Sequence, residues 1–382
     1  MHEHKQNQYK RKVKHRKNVM GLIIFCITVG IAFMFTYYQN LRKEISVRQK
    51  WLETVLTGEK KWILENQGPE GEIYMNGSKA GDVNPYFACM AALGLLAETK
   101  NCPITETEKK AVGRYLDWHT GILLETDGKM GIYRKESGKL IYKEKADSED
   151  GYLGMYLFLM GKYLEKTEST NLPEYWNKGI SLALKKIQSL MQDGITQVSE
   201  ENTTVYLMDN LEVWKGLYEL ELAGLEDTQA ISEMRKKIQE QIEKIFWDDA
   251  NQRWRIIGNS DLYHQTEFYP DGVAQIYPLI YGFPVKEKKK QKVLYDQFTE
   301  RFQWQKLNKK RTGFLWAITG MAAAQMGDIN NLVELIGNYE AEYCENRKYP
   351  LYTGEAGWIC MECGKLYGIY ERKIKTGFIL CT

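Results

Sequence analysis

Several features that would indicate other classes of protein are missing from this sequence of 382 residues. It has five histidines and seven cysteines, whose spacing shows no disulfide framework and no second Cys-x-x-Cys pair. We therefore expect no structural disulfide, no metal site and no cofactor. The pair Cys360-x-x-Cys363 lies in an apparent buried helix, where packing is its expected role. No segment shows a sustained two-residue alternation, which argues against a β-sheet protein.

A basic surface is also missing outside the N-terminus. Residues 1–18 hold seven Lys and Arg residues and one acid, Glu3. Subtracting these from the totals of 52 basic and 50 acidic residues leaves 45 against 49, so the rest of the chain is slightly acidic. Phosphate binding needs a concentrated basic surface, and we therefore expect no nucleic-acid partner.

An uncharged apolar run of nineteen residues, Met20–Tyr38, follows the basic tail and is long enough to span a bilayer. Basic residues stay on the cytoplasmic side, so the body of the protein should be extracytoplasmic. A cleaved signal peptide is the alternative, but the end of the run has no small-residue cleavage pattern. We predict a cytoplasmic tail (1–18), a transmembrane signal anchor (19–38), a linker (39–50), a main domain (51–372) and a C-terminal tail (373–382).

The spacing of apolar residues predicts twelve helices after the anchor. They cover 44–66, 84–99, 105–120, 149–166, 173–192, 205–224, 227–247, 270–282, 289–303, 313–327, 329–345 and 354–370. The odd helices are amphipathic, whereas the even ones are apolar around most of their girth and rich in small residues, as in 88–96. Two layers of six helices predict an all-α (α/α)6 barrel with the even helices inside. The Gly-rich stretches 126–138 and 248–261 predict short hairpins or lids.

Acidic or aromatic segments precede each of the six even helices. These segments are 81–86, 146–152, 206–210, 269–278, 310–314 and 352–358. If successive helices alternate in direction, all six segments converge at one end of the barrel. The candidate residues, with those of the loop 68–74, are Glu70, Glu72, Asp82, Asp147, Asp150, Asp209, Asp271 and Glu355, together with Tyr74, Tyr86, Tyr152, Tyr206, Tyr269, Trp316 and Trp358. Carboxylates beside aromatic rings suit sugars, which stack on the rings and donate hydroxyls to the acids.

A structural role is the alternative for single acids. An Asp at a helix start is often an N-cap, whose oxygen accepts from free backbone N–H groups. Asp82, Asp147 and Asp209 can each be interpreted in this way, and the loop 68–74 can be a plain turn. The repetition of one design in six segments favours a functional role.

The motifs resemble the six-hairpin glycosidase superfamily and are most similar to glycoside hydrolase family 8. Segment 69–74 resembles the Glu-Gly segment that carries the general acid in that family, which implies Glu70 as the acid. Pro69 stands in place of the Ser of the family motif, and Glu72 remains the alternative acid. Segment 146–150 resembles the Asp-rich segment that binds the sugar at the cleavage point, which implies that role for Asp150. In that family the general base is an Asp near the start of the eighth helix, which implies Asp271 as the base here.

The resemblance implies hydrolysis with inversion, for which the two carboxyl groups lie ~6.5–9.5 Å apart. From the convergence of the segments, we expect the substrate to be bound by Glu72, Asp82, Tyr86, Asp147, Tyr152, Asp209, Tyr269, Trp316, Glu355 and Trp358. We expect a monomeric, membrane-anchored glycoside hydrolase outside the cytoplasm that acts on a polysaccharide or oligosaccharide.

Two alternatives use the same barrel. A polysaccharide lyase or unsaturated-uronyl hydrolase binds acidic sugars and would need basic residues at the mouth, for which Lys310, Arg311 and His264 are the obvious candidates. A non-catalytic, membrane-tethered glycan-binding protein would keep the aromatic residues without paired carboxyl groups.

Overall fold

A computed structural model describes residues 2–77, 81–136, 139–169, 172–225, 228–260, 267–286, 288–307 and 313–381. The helices in these residues are α1 (His2–Glu65), α2 (Pro85–Leu95), α3 (Glu106–Glu125), α4 (Glu149–Thr167), α5 (Glu174–Leu190), α6 (Leu207–Leu222), α7 (Thr228–Phe246), α8 (Val273–Ile280), α9 (Lys288–Phe302), α10 (Thr319–Met326), α11 (Ile329–Tyr339) and α12 (Thr353–Cys381). The strands are β1 (Asp82–Val83), β2 (Gly131–Glu136), β3 (Lys139–Lys145), β4 (Met191–Gln192), β5 (Ile195–Thr196), β6 (Trp247–Asp248) and β7 (Arg253–Trp254).

The predicted helical pattern is confirmed for α2 to α12, with two notable shifts at helix starts. Helix α8 begins at Val273, because Tyr269 is extended and the turn Phe268–Gly272 is wider than an α-helix. Helix α10 begins at Thr319 rather than 313, since Gly313 and Trp316 have φ values of 77° and 59° that no right-handed helix contains.

The even helices pack against one another in succession. Helix α4 contacts α2 and α6, and α8 contacts α6 and α10. Glycines allow this close approach: a Cβ on Gly216 of α6 would lie 2.3 Å from the carbonyl oxygen of Gly154 in α4. Helix α12 meets α2 in the same manner, because a Cβ on Gly94 would lie 2.4 Å from the Cα of Gly357. This arrangement fits an α/α barrel with the even helices inside.

The odd helices expose one face, as their amphipathic sequences predict. In α7 the buried positions are Ile231, Ile238, Ile242 and Phe246, which recur at helical spacing along one side. Helix α1 is joined to the segment after α11 through Glu59, which is fully buried and forms an ion pair with Arg347. Tyr339 of α11 also donates to Glu59, with an O–O distance of 2.8 Å.

The predicted hairpins are confirmed. Strand β2 pairs in antiparallel fashion with β1 and β3, and β6 pairs with β7. Positions 137, 138 and 261 of the two Gly-rich stretches lie outside the described residues. The three-stranded sheet holds Asp82 beside Arg134 and Lys143, next to the start of α2.

The chain divides into two compact units, one of residues Met1–Leu52 and Tyr367–Thr382 and the other of Glu53–Leu366. Among the described residues, α1 is the one helix whose length and composition would let it cross a membrane. It continues without a break through positions 39–50, where the sequence predicts a linker. The predicted boundaries of the tail, anchor, linker and main domain stay predictions.

Candidate active site

A cavity of about 410 Å³ lies among the beginnings of the even helices, within the ~300–1,000 Å³ typical of small-molecule sites. Its lining consists of Asn84, Tyr86, Phe87, Met90, Asp147, Ser148, Tyr152, Met208, Asp209, Glu212, Tyr269, Tyr277, Phe314, Trp316, Ile318, Glu355 and Trp358. Every one of the six predicted segments contributes at least one of these residues. The predicted convergence of the segments is therefore confirmed.

Eight of the predicted site residues line this cavity, and they combine acids with aromatic rings. They are Tyr86, Asp147, Tyr152, Asp209, Tyr269, Trp316, Glu355 and Trp358. The rings form contacting pairs: the centroids of Tyr86 and Tyr152 are 5.5 Å apart, and those of Tyr269 and Trp316 are 4.7 Å apart. Such faces are suited to the apolar side of a sugar ring.

The other seven candidate residues do not line the cavity; they are Glu70, Glu72, Tyr74, Asp82, Asp150, Tyr206 and Asp271. The first four of these belong to polar contacts nearby. Glu72 is fully buried and accepts from the Tyr74 hydroxyl at 2.8 Å and from the backbone N–H of Glu70 at 3.0 Å. Glu70 itself is exposed. Asp82 is bound to Arg134 with an N–O distance of 2.6 Å.

Asp150 and Asp271, the predicted sugar-binding acid and base, are buried and are not part of the lining. Asp150 accepts from the Thr196 hydroxyl at 2.7 Å and the Ser148 hydroxyl at 2.8 Å, which ties the start of α4 to β5. Asp271 lies in the turn before α8 and is 8% exposed. The catalytic roles that the resemblance implies for Glu70, Asp150 and Asp271 remain predictions.

The interpretation of Asp82, Asp147 and Asp209 as N-caps is wrong. Helix α2 is capped by Asn84 and α4 by Ser148, while the N-cap position of α6 is Tyr206, which makes no capping bond. Asp147 precedes the N-cap Ser148, and Asp209 follows the N-cap position Tyr206. Both line the cavity instead.

Glu212 is the lining carboxyl group that the sequence analysis missed. It is 2% exposed, and its Oε1 accepts hydrogen bonds from three hydroxyls, those of Tyr86, Tyr277 (2.6 Å) and Tyr281 (3.4 Å). Burial raises the pKa of Glu212 to about 8, although the tyrosine hydrogen bonds oppose that rise. Glu212 is therefore mostly protonated at neutral pH, with Oε2 the oxygen that the tyrosines leave for the proton.

Glu355, in the first turn of α12, is the second buried carboxyl group of the cavity and is 5% exposed. It accepts from the backbone N–H groups of Trp316 at 3.1 Å and Ala317 at 2.8 Å. Burial raises its pKa to about 7, and the backbone donors limit the rise because they stabilise the charged form. Trp316, whose N–H donates to this carboxylate, has a left-handed φ of 59°, a strained conformation of the kind found at functional sites.

Asp209 lies one helical turn before Glu212 on the same face of α6. Burial raises its pKa well above the usual value, and the nearby carboxyl groups of Asp150 and Glu212 add to the rise. Asp147, in contrast, is exposed at the rim. The cavity thus holds carboxyl groups in very different surroundings, and this difference sets acid and base roles in many enzymes.

Basic residues are missing from the described part of the lining, which contains no Lys, Arg or His. Lys310, Arg311 and His264 lie outside the described residues. His119 is buried in α3 beside Tyr115 and Cys89, and burial lowers its pKa to about 3. Cys360 and Cys363 are fully buried in α12, as their predicted packing role requires.

No protein-family model and no curated protein matches the sequence. Solved structures do match its fold. One is a glycosidase variant with a glutamate changed to alanine, at a TM-score of 0.61 and 12% identity, covering 85% of this chain and 99% of that chain. The GH76 α-mannanase of Bacteroides thetaiotaomicron matches at a TM-score of 0.50 and 10% identity, with 86% and 97% covered.

A sugar epimerase from a ruminal bacterium also matches, at a TM-score of 0.52 and 10% identity, with 82% of this chain and 97% of that chain covered. At such identities the likeness concerns the fold alone. It is consistent with a six-hairpin glycosidase-like fold, whereas a particular similarity to glycoside hydrolase family 8 stays a prediction.

Proposed function

We propose that the protein is a glycoside hydrolase of (α/α)6-barrel architecture in which Glu212 and Glu355 carry the chemistry. The observation that carries the proposal is that two buried carboxyl groups with different hydrogen-bond partners line one aromatic cavity. Glycoside hydrolysis needs one carboxyl group that stays protonated and another that is ionised.

Glu212 is the general acid of the proposal. Its pKa of about 8 keeps a proton available near neutral pH. The hydroxyls of Tyr86, Tyr277 and Tyr281 fix its orientation through Oε1. Oε2 can then donate the proton to the glycosidic oxygen as the bond breaks.

Glu355 is the carboxylate partner. With a pKa of about 7 it is largely ionised at slightly alkaline pH, and two backbone N–H groups support the charge. In an inverting enzyme it would activate water, the role that the sequence resemblance implies for Asp271 instead. In a retaining enzyme it would attack the sugar itself. The anomeric form of the first product, measured by NMR, distinguishes the two mechanisms.

The substrate class follows from the charge of the lining. Four acidic residues, Asp147, Asp209, Glu212 and Glu355, and no described basic residue surround the cavity. The carboxylate of a uronate would find no basic partner among these residues, so we propose a polysaccharide or oligosaccharide of neutral sugars rather than the acidic substrate of a lyase or uronyl hydrolase. The predicted anchor would hold the enzyme, as a monomer, at the outer face of the cell membrane, where such polymers occur.

The test is hydrolysis of a polysaccharide panel by the full chain in detergent, detected as new reducing ends. We expect Glu212→Gln and Glu355→Gln each to lower kcat/KM by at least ~100-fold, the scale of general acid–base catalysis. The matched variants Glu70→Gln, Asp150→Asn and Asp271→Asn test the roles implied by the resemblance. If those variants lose activity while the first two keep it, our assignment is wrong. If the wild type cleaves nothing but still binds glycans, the glycan-binding alternative gains support.

A further inference from the structure

Aromatic side chains continue from the cavity to the surface on one side. Phe87 and Phe314 line the cavity and stack with centroids 5.6 Å apart and planes at 11°. Tyr352, outside the lining, lies 5.9 Å from Phe87 and 5.4 Å from Phe314. Tyr349 follows, 6.2 Å from Tyr352, and is 70% exposed. We call these four residues the aromatic path.

The outer end of this path is held in place on both sides. Before Tyr349, Arg347 is fixed by its ion pair with the buried Glu59. After it, Leu351 is buried, and Thr353 donates through its backbone N–H to the Met75 carbonyl at 2.9 Å. These contacts anchor the backbone of the loop at both ends, which lowers the entropy lost when the loop binds a ligand.

The start of α12 also fixes the inner part of the path. The carbonyl of Tyr352 accepts from the N–H groups of Glu355 and Ala356 at 3.0 and 3.3 Å. A Cβ on Gly354 would lie 2.9 Å from the carbonyl oxygen of Phe87, so the two helix starts are in close contact. Tyr352 and the proposed catalytic Glu355 therefore belong to one rigid segment.

We propose that Tyr352 and Tyr349 bind further units of a neutral glycan chain whose cleaved linkage lies at Glu212 and Glu355. This inference rests on the proposed function and extends it, because it assigns the sugar units beyond the cleaved linkage to named residues outside the cavity. Continuity with the cavity argues for this occupant, since a chain that leaves the cavity beside Phe314 meets these rings next. Pyranose rings stack on such faces through their C–H groups.

The experiment compares kcat/KM for neutral gluco-, manno- and galacto-oligosaccharides of two and six units. For the series that the wild type cleaves, we expect the six-unit substrate to be preferred. Tyr349→Ala should lower the six-unit to two-unit ratio by roughly threefold to tenfold, the size expected from the loss of one aromatic stacking contact. Tyr349→Phe should keep the wild-type ratio, because the ring face remains.

Tyr175→Ala is the matched control, since Tyr175 is an exposed tyrosine of the outer helix α5. It should leave the ratio unchanged. An unchanged ratio in Tyr349→Ala, with the wild type active, overturns the inference while the proposed function stands. An equal fall in Tyr175→Ala also overturns it. A wild type that cleaves none of the series overturns it together with the proposed function.

Discussion

Two regions of the molecule each bury a glutamate, but only one of them pairs the carboxyl group with a cation. At the junction of α1 with the end of α11, Glu59 is paired with Arg347 at 2.6 Å and also accepts from the Tyr339 hydroxyl. In the cavity, Glu212 is surrounded by neutral tyrosine hydroxyls and its pKa rises to about 8. A cation stabilises the charged form of the first carboxyl group, whereas burial without a cation favours the protonated form of the second.

The largest effect should come from removing the cation at the structural glutamate. Arg347→Met leaves Glu59 buried without its ion-pair partner, and such losses cost ~3–5 kcal/mol. We expect urea unfolding to show a decrease of this size in the free energy of unfolding. The double variant with Glu59→Gln should recover most of it. A decrease below about 1 kcal/mol would mean that the ion pair does not hold α1 to the end of α11.

Removing the charge from the cavity glutamate should have the opposite effect at alkaline pH. The folded pKa of Glu212 is about 8, against 4.5 as the ordinary value, so the folded state binds more protons between these pH values. Wild-type stability should therefore fall as the pH rises from about 4.5 to 8. Glu212→Gln removes this contribution and should be more stable than the wild type at pH 8. The expected difference is a few kcal/mol, because each unit of the pKa shift corresponds to ~1.4 kcal/mol.

Thermal or urea unfolding at pH 5 and pH 8 measures this difference. Glu59→Gln is the matched control, because it removes a glutamate from the structural site. It should be less stable than the wild type at both pH values. A Glu212→Gln variant that is destabilised equally at pH 5 and pH 8 would contradict the protonated state.

Close helix contact distinguishes the inner layer from the outer one. Gly94→Ala places a Cβ 2.4 Å from the Cα of Gly357, so it should cost roughly 1–3 kcal/mol through backbone displacement. A Cβ on Gly121, in the outer helix α3, would have no neighbouring atom within 4 Å, and Gly121→Ala should be neutral or stabilising by up to ~1 kcal/mol. Equal effects of the two variants on unfolding would contradict the layer assignment.

The smallest effect should come from the weakest of the three tyrosine contacts. The Tyr281 hydroxyl is 3.4 Å from Glu212 Oε1, against 2.6 Å for Tyr277. Tyr281→Phe should change the free energy of unfolding by less than ~1 kcal/mol. A larger loss than that of Tyr277→Phe would show that the order of the hydrogen-bond strengths is reversed.

The sequence predicted the helices and their convergence well, because both follow from local patterns. Apolar spacing located α2 to α12, and the acidic or aromatic segments marked the starts of the inner helices. The start of α10 was misplaced because the left-handed conformation of Trp316 has no sequence signal of the kind that glycine gives.

The chemistry was harder to predict, because it depends on which side chains face one another. Glu212 lies inside a helix, so the search for acids in loops passed over it. A signal was present, since an acid within the apolar sequence of a predicted inner helix is rarely buried without a reason. Its three tyrosine partners lie 65 to 126 residues away in the sequence, and pairing over such distances requires coordinates.

The pH dependence of kcat/KM on the oligosaccharide that the wild type cleaves tests the central claim most directly. We predict a bell-shaped profile with an acidic limb near pH 7 from Glu355 and an alkaline limb near pH 8 from Glu212. In Tyr277→Phe the alkaline limb should move to higher pH, because the lost hydrogen bond favoured the charged form of Glu212. A profile without an alkaline limb, or a limb that Tyr277→Phe leaves in place, would contradict the role of Glu212 as the acid.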